Sequence, residues 1–379
     1  MILMASEGLG IPEVARKFKD SPAWQFMAYQ TDHVQWTGCA LWDLIQPSFM
    51  FMVGVSMPYS LASRRAKGDS FGWMFLHALW RALLLVILGI FLRSVGHKMT
   101  RYTFEDVLTQ IGMGYPFLFL LAWTKPRTQL FAAVAILLAY WGAFALYPLP
   151  APGFDYSKVG VPANWPHPQG FAAHWDKNTN LAAACDQWFL NLFPREVGKN
   201  GSAEFVYNNG GYLTLNFVPS LATMTFGLLA GGLLKGDRNP LKKFWILVGA
   251  GIGCLAAGAL LDVTGVCPSV KRIWTPAWAL FSTGWTCLLL AAFYGIVDLK
   301  GYKRWAFPFL VVGMNSIAMY MLAHLSTGLI ASSLKIHLGQ NIFKMFGKDY
   351  VPIAESAAIL CILWLIVFWM YRRKIFLRI

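Results

Sequence analysis

Residues 31–54 read TDHVQWTGCALWDLIQPSFMFMVG. This stretch passes from a polar segment around a histidine, His33, into an apolar run, and one carboxylate, Asp43, stands where the run begins. The apolar run extends over 43–62, the length that a helix needs to cross the hydrocarbon core of a bilayer. The stretch therefore predicts a membrane helix with a histidine and an aspartate at its mouth.

The composition of the whole chain supports a membrane protein. Of its 379 residues, 57% are hydrophobic and only 13% are charged, whereas about a quarter would be charged in a soluble protein. The net charge of +14 would suit a nucleic-acid partner, but the basic residues stand between apolar runs. That pattern indicates membrane topology, so we expect a lipid bilayer and no nucleic acid as partner.

Nine apolar runs have spanning length, roughly 17–23 residues each. They are 43–62, 73–93, 107–123, 129–147, 212–234, 244–261, 276–297, 305–324 and 351–371. The segment MILMASEGLGI before them is apolar but too short to span, and we interpret it as the tail of a first helix that begins outside this chain. The prediction is an all-α polytopic membrane protein, a single domain over 1–379 with about ten transmembrane helices, the first one truncated.

The basic residues predict the orientation of the bundle. The connections 63–72, 124–128, 235–243, 298–304 and 372–379 hold 16 Lys and Arg in about 40 residues. The alternate connections 12–42, 94–106, 148–211, 262–275 and 325–350 hold about as many in more than three times the length. By the positive-inside rule the first set is cytoplasmic, so His33 faces outside. The long segment 148–211 is then an external loop, and its Trp and His content favours an ordered cap.

The six cysteines indicate neither a metal site nor a redox site. No CxxC spacing occurs, and Cys254, Cys287 and Cys361 lie inside apolar runs. A bridge between Cys185 and Cys267, which lie in connecting segments, is open but unsupported by any spacing.

His33 and Asp43 allow two interpretations. A neutral imidazole can take a proton from an attacking nucleophile, and a carboxylate can fix its tautomer and stabilise the imidazolium. The ten residues between them include Gly38, which leaves the chain room to turn. Alternatively, His33 is an interfacial side chain beside Trp36, and Asp43 caps the helix that follows it.

The segment HVQWTGCALWDLIQPSFMFMVGVSMPYS resembles the signature of the heparan-alpha-glucosaminide N-acetyltransferase family of transmembrane acyltransferases, in its bacterial branch. The matching positions are His33, Trp36, Gly38, Asp43, Pro47, Phe49, Phe51 and Gly54. The runs WRALLLVILG, FEDVLTQIGMGY, NLAAACDQWFL, VPSLATMTFGLLAGGLL, KRIWTPAWAL and FPFLVVGMNSIAMYMLAH extend the resemblance over essentially the whole chain.

The resemblance implies an enzyme that moves an acetyl group from cytosolic acetyl-CoA to an amino sugar or glycan outside, without a metal. It makes His33 the base or the transient acetyl carrier, with Asp43 as its orienting partner. Arg81 is expected to bind phosphates of acetyl-CoA, or else to snorkel to the inner headgroups. Asn315 is expected to contact the thioester region, or else to join helices through hydrogen bonds.

Trp36, Asp186 and Asp262 are the candidate acceptor-binding residues. Lys271 and Arg272 are either acceptor-side groups or interfacial anchors. The sequence is also compatible with a homodimer. The expected location is the bacterial inner membrane, with His33 on the periplasmic side.

Two other functions stay open at this point. One is a polysaccharide O-acyltransferase, in which His33 would activate a hydroxyl group. The other is a non-catalytic polytopic transporter or sugar-binding membrane protein. Transporter folds often carry internal repeats and paired interrupted spans, and neither is visible in the sequence.

Overall fold

The computed structural model describes residues 7–197 and 201–377. Within these ranges the chain is helical, and its only pairing of extended backbone is an isolated antiparallel bridge between Thr37 and Val270. The α-helices are α1 (Ile11–Ala15), α2 (Pro22–Gln30), α3 (Ile45–Ala66), α4 (Phe71–Ser94), α5 (Val107–Leu121), α6 (Pro126–Leu146), α7 (Leu181–Leu190), α8 (Phe217–Lys235), α9 (Pro240–Val263), α10 (Pro276–Phe293), α11 (Phe307–Met314), α12 (Ser316–Leu338) and α13 (Val351–Arg372).

Among the described residues, seven helices are long and apolar enough to cross a membrane, which confirms the all-α polytopic membrane fold. They are Phe71–Ser94, Pro126–Leu146, Thr214–Lys235, Pro240–Val263, Pro276–Leu299, Ser316–Leu338 and Lys348–Arg372. Two further predicted spans are outside this set: α3, with 22 residues, and α5, with 15. A total of about ten spans stays a prediction.

The expected truncated first helix falls largely outside the described residues, which begin at residue 7. From there the chain forms a 3-10 turn, Glu7–Gly10, and then the five-residue helix α1.

The predicted span 305–324 is wrong in its bounds. The helix is interrupted at Asn315, whose φ and ψ are −131° and 41°, and α12 then continues to Leu338 through residues that the sequence placed in a loop. Hydroxyl side chains explain the error, because Ser326 and Thr327 donate to the carbonyls of Leu322 and Ala323 at 2.6 and 2.5 Å. A hydroxyl satisfied inside its own helix is compatible with lipid.

Polar caps set the beginnings of several helices. Ser70, Asp106 and Asn239 each accept a hydrogen bond from a backbone N–H in the first turn of α4, α5 and α9. These side chains satisfy donors that have no partner inside the helix.

The chain divides into two compact units. The terminal unit comprises the described parts of Met1–Gln35, Cys39–Ile45 and Ile296–Ile379, and the central unit comprises Trp36–Gly38 and Gln46–Gly295. In the terminal unit, buried side chains of α11, α12 and α13 form a core that includes Val311, Met319 and Leu363.

Small residues bring α3 and α8 together in the central unit. A Cβ atom added to Gly54 would collide with the backbone of Met224, and one added to Gly227 or Gly231 would collide with the backbone of α3. The glycines therefore let the two backbones approach closely, as is common between membrane helices.

The loop 148–211, which we call the cap, is ordered over its described residues and has a hydrophobic core. Its buried members include Val159, Trp165 and Trp175, which pack with Phe144 of α6. Cys185 and Cys267 form no disulfide bridge, because both are free thiols. Burial raises the pKa of the Cys267 thiol to about 12.

Candidate functional site

His33 and Asp43 meet in the terminal unit. His33 Nδ1 lies 2.7 Å from Asp43 Oδ1, and the Asp43 side chain is only 1% exposed. The other carboxylate oxygen accepts the backbone N–H groups of Val34 at 3.3 Å and Ala40 at 3.1 Å. These backbone N–H groups fix the Asp43 carboxylate in place, so it can orient the imidazole.

The local backbone explains how ten residues close this contact. Asp43 is the third residue of a 3-10 turn, Leu41–Leu44, and its bond to the N–H of Ala40 caps that turn. Gly38 has a φ of 110°, a conformation that glycine adopts without strain. Capping and orienting are thus compatible roles for one carboxylate.

The hydrogen bonds assign the tautomer of His33. An ionised carboxylate can only accept, so Nδ1 carries the proton. The indole Nε1–H of Trp42 can only donate, and it lies 3.2 Å from His33 Nε2. His33 is therefore neutral in this arrangement, with the lone pair of a general base on Nε2.

His33 also lines a cavity in the terminal unit. The cavity has a volume of about 690 Å³ and brings together residues from α1, α2 and the segments that follow them. Its polar lining includes Arg16, Lys19, Gln25, Tyr29, Asp32 and His33. Hydrogen-bonding groups of both charges beside an imidazole suit a polar, hydroxyl-rich molecule better than an apolar one.

Trp36 is a core residue of the central unit. It is 3% exposed, its indole N–H donates to the carbonyl of Trp175 at 3.1 Å, and its ring stands edge-on to Trp165. The structure thus gives the side chain of Trp36 a packing role.

Asp186 lies on α7 in the cap and is 2% exposed. Both of its oxygens lie within hydrogen-bonding distance of the backbone N–H of Thr214, at 3.2 and 3.0 Å. Burial raises the pKa of Asp186 to about 7, and the hydrogen bonds from Thr214 oppose that rise. This carboxyl group changes charge near neutral pH.

Asp262 and Asn315 contact backbone groups. Asp262 accepts the N–H of Ser269 at 2.8 Å and closes the turn after α9. Asn315 donates to the carbonyl of Ile375 at 2.8 Å and accepts the N–H of Leu377 at 3.0 Å. Asn315 therefore ties the tail of the chain to the break between α11 and α12.

Arg81 lies ten residues into α4, about 15 Å along the helix from its first residue. Its guanidinium donates to the hydroxyl of Tyr115 at 3.1 Å and lies 4.9 Å from the centre of that ring. Its Nε is buried and has no hydrogen-bond partner among the described residues. A buried donor of this kind is costly without an acceptor, which makes Arg81 a candidate anion contact.

Sequence reasoning missed several groups beside His33. Trp42 immediately precedes Asp43 in the quoted stretch, and that adjacency was the available signal. The cavity residues Arg16, Lys19 and Tyr29 carry no motif, because only the packing of α1 against α2 brings them to His33. A second pair, His167 with Asp176, forms in the cap and was also not foreseen.

Known proteins support one family relationship. No family model matches this chain. The chain is 24% identical over 389 residues to heparan-alpha-glucosaminide N-acetyltransferase of Homo sapiens, an alignment that covers 92% of this chain and 55% of the human protein. It is 24% identical over 328 residues to the same enzyme of Mus musculus, covering 76% of this chain and 48% of the mouse protein.

The chain spans about half the length of the curated relatives it matches. The alignment nevertheless covers most of the chain, in agreement with the resemblance found in the sequence. This chain is related at the family level to the heparan-alpha-glucosaminide N-acetyltransferases.

Proposed function

We propose that this chain is an integral-membrane acetyltransferase that moves an acetyl group from cytosolic acetyl-CoA to an amino sugar or glycan on the outer face. The observation that carries the proposal is His33, which lines a polar cavity while Asp43 holds its ring in the tautomer of a general base. The names of the two relatives support the acetyl transfer.

The reaction needs little beyond positioning and one proton transfer. A thioester is already activated, so the amine nitrogen of the acceptor attacks the acetyl carbon and the carbon–sulfur bond breaks. His33 Nε2 takes the proton that the amine loses, and Asp43 stabilises the imidazolium. The proton then passes to the departing thiolate, which restores neutral His33. In the alternative order, Nε2 attacks the acetyl carbon and the thiolate leaves; the amine then attacks the acetyl-imidazole, the carbon–nitrogen bond to Nε2 breaks, and the proton lost by the amine passes to the thiolate.

The other candidate residues have narrower roles in the proposal. Arg81 would bind a phosphate of acetyl-CoA, because its unsatisfied Nε and its planar guanidinium suit a phosphate oxygen. The cavity beside His33 would bind the acceptor. The sequence predicts that four residues contact substrates: Trp36, Asp186 and Asp262 the acceptor, and Asn315 acetyl-CoA. Each of them bonds to backbone groups, so the proposal assigns them a supporting role instead.

The test is acetyl-CoA turnover by the purified chain in lipid nanodiscs, with released thiol as the signal. Glucosamine-stimulated release that disappears in His33→Ala is the expected result. The variant should stay folded, because the Asp43 carboxylate keeps the N–H donors of Val34 and Ala40. Glucosamine-stimulated release at the unmutated rate in a folded His33→Ala protein would remove His33 from the mechanism.

The same assay separates the alternatives. Release stimulated by glucose as strongly as by glucosamine would indicate O-acylation. The interrupted helix at Asn315 is the observation that favours a transporter, since broken helices form the binding sites of many transporters. Failure of acetyl-CoA to stabilise or react with a folded protein would favour that class.

A further inference from the structure

We propose that Trp42 is a positioning residue that keeps His33 inactive toward water until an acceptor binds. The inference rests on the proposed function and adds to it a control on the fate of the acetyl group. Without such control, a polar cavity beside an activated thioester would allow hydrolysis, in which water attacks the acetyl carbon, His33 accepts a proton from that water, and acetate and free thiol leave.

The contact between Trp42 and His33 uses the atom that catalysis needs. The indole N–H lies 3.2 Å from Nε2, and the two rings meet edge to face with centroids 6.1 Å apart. An indole nitrogen has no acceptor capacity, so the bond has one direction, toward the lone pair of the imidazole. While this bond is made, Nε2 cannot accept a proton from water or from an amine.

Asp43 and Trp42 together hold both edges of the imidazole. Asp43 is bonded to Nδ1 at 2.7 Å and is itself fixed by backbone N–H groups. Trp42 is next to Asp43 in the chain, within the same 3-10 turn, but it is partly exposed rather than buried. The carboxylate is thus the fixed contact of His33, and the indole is the contact that has room to move.

An acceptor amine can replace the indole with little change in hydrogen bonding. A neutral amine N–H donates to Nε2 as the indole does, so one hydrogen bond to Nε2 replaces another. The acceptor must break the indole bond to reach Nε2, and a molecule bound in the cavity that His33 lines supplies binding energy for that step. Water forms the same hydrogen bond but brings no comparable binding energy, so the indole discriminates against it.

The experiment compares Trp42→Phe with the unmutated chain in nanodiscs. Phenylalanine keeps an aromatic ring but removes the donor. Without acceptor, we expect the rate of acetyl-CoA hydrolysis to rise about fivefold, which corresponds to the free energy of one neutral hydrogen bond. With acceptor, the KM for glucosamine should fall, while kcat for transfer should change less than about twofold. Trp42→Ala, which also removes the bulk, should raise hydrolysis further.

Two controls give the result its meaning. Hydrolysis in Trp42→Phe must disappear when His33→Ala is added, since His33 is the base that accepts the proton from water in this proposal. Trp188→Phe, a change at a 69% exposed tryptophan of α7, should leave both reactions unaltered.

Loss of transfer and hydrolysis together in Trp42→Phe would reduce Trp42 to a structural support, and an unchanged hydrolysis rate would equally overturn the inference. Either outcome requires transfer by the unmutated chain, so it is distinct from failure of the proposed function itself.

Discussion

Two histidine–aspartate pairs in the described part of the chain are nearly alike at close range. The Nδ1–oxygen distances are 2.7 Å for His33 with Asp43 and 2.6 Å for His167 with Asp176. The imidazoles are 34% and 29% exposed, and the carboxylates 1% and 3%. Neither distance nor burial separates the pair in the terminal unit from the pair in the cap.

The two pairs differ in where a tryptophan donates and in what the histidine faces. Trp42 donates to the imidazole of His33, whereas Trp165 donates to the carboxylate of Asp176 at 3.1 Å. His33 lines a cavity, whereas the ring of His167 lies 4.2 Å from the ring of Tyr156. A histidine–aspartate pair therefore suggests catalysis only where the histidine also lines a cavity and its Nε2 accepts a hydrogen bond.

The largest expected effect tests this distinction by treating both carboxylates alike. In Asp43→Asn, the amide can donate to Nδ1 and select the tautomer that has no lone pair on Nε2, so kcat for transfer should fall at least about a hundredfold. Asp176→Asn should leave kcat within about twofold and lower only the melting temperature of the cap. Equal losses of kcat in both variants would show that the two pairs do not differ in function.

A second, smaller effect asks whether the donor is held by Arg81. Arg81→Ala should raise the KM for acetyl-CoA about tenfold, as expected for the loss of one charge-assisted contact. It should leave the KM for acetyl-pantetheine, which lacks the phosphates, unchanged. Arg101→Ala, at a guanidinium bonded to His97 in the connection 94–106, is the matched control and should alter neither constant. An unchanged acetyl-CoA KM in Arg81→Ala would return this arginine to a snorkelling role.

The last prediction is measured as stability rather than as turnover and concerns Asp186, a buried carboxyl group that accepts hydrogen bonds from Thr214. Its pKa rises from the ordinary 3.8 to about 7 in the folded chain, so the folded state binds the proton more tightly than the unfolded state. Its contribution to the free energy of unfolding is therefore complete below pH 4, falls by up to about 1.4 kcal/mol per pH unit between pH 4 and 7, and is lost above pH 7.

Asp186→Asn keeps an acceptor for the N–H of Thr214 and removes the titration. Thermal unfolding of both proteins in detergent between pH 4 and 7 measures the difference. The melting temperature of the unmutated chain should fall relative to the variant as the pH rises, and parallel curves would contradict the burial argument.

Sequence reasoning was reliable where a property depends on neighbours along the chain. Apolar runs of spanning length predicted the membrane fold, because lipid demands them of any helix that crosses it. It failed at 305–324, where Asn315 interrupts the helix and where hydroxyls bonded within α12 made a spanning segment look like a loop. The helix Ser316–Leu338 is apolar enough to span, with a mean hydropathy of 1.4, but an apolar run does not by itself mark where a helix begins and ends.

The sequence by itself determined that the protein is an all-α membrane protein. It also singled out the quoted stretch as the candidate site and made the pairing of His33 with Asp43 a hypothesis. Only the tertiary structure decided that the pair forms, that Trp42 donates to Nε2, that a cavity lies beside His33, and that His167 forms a similar pair elsewhere. The physical reason is that spacing along the chain constrains which side chains can meet, whereas hydrogen-bond direction and empty volume arise from packing between segments distant in sequence.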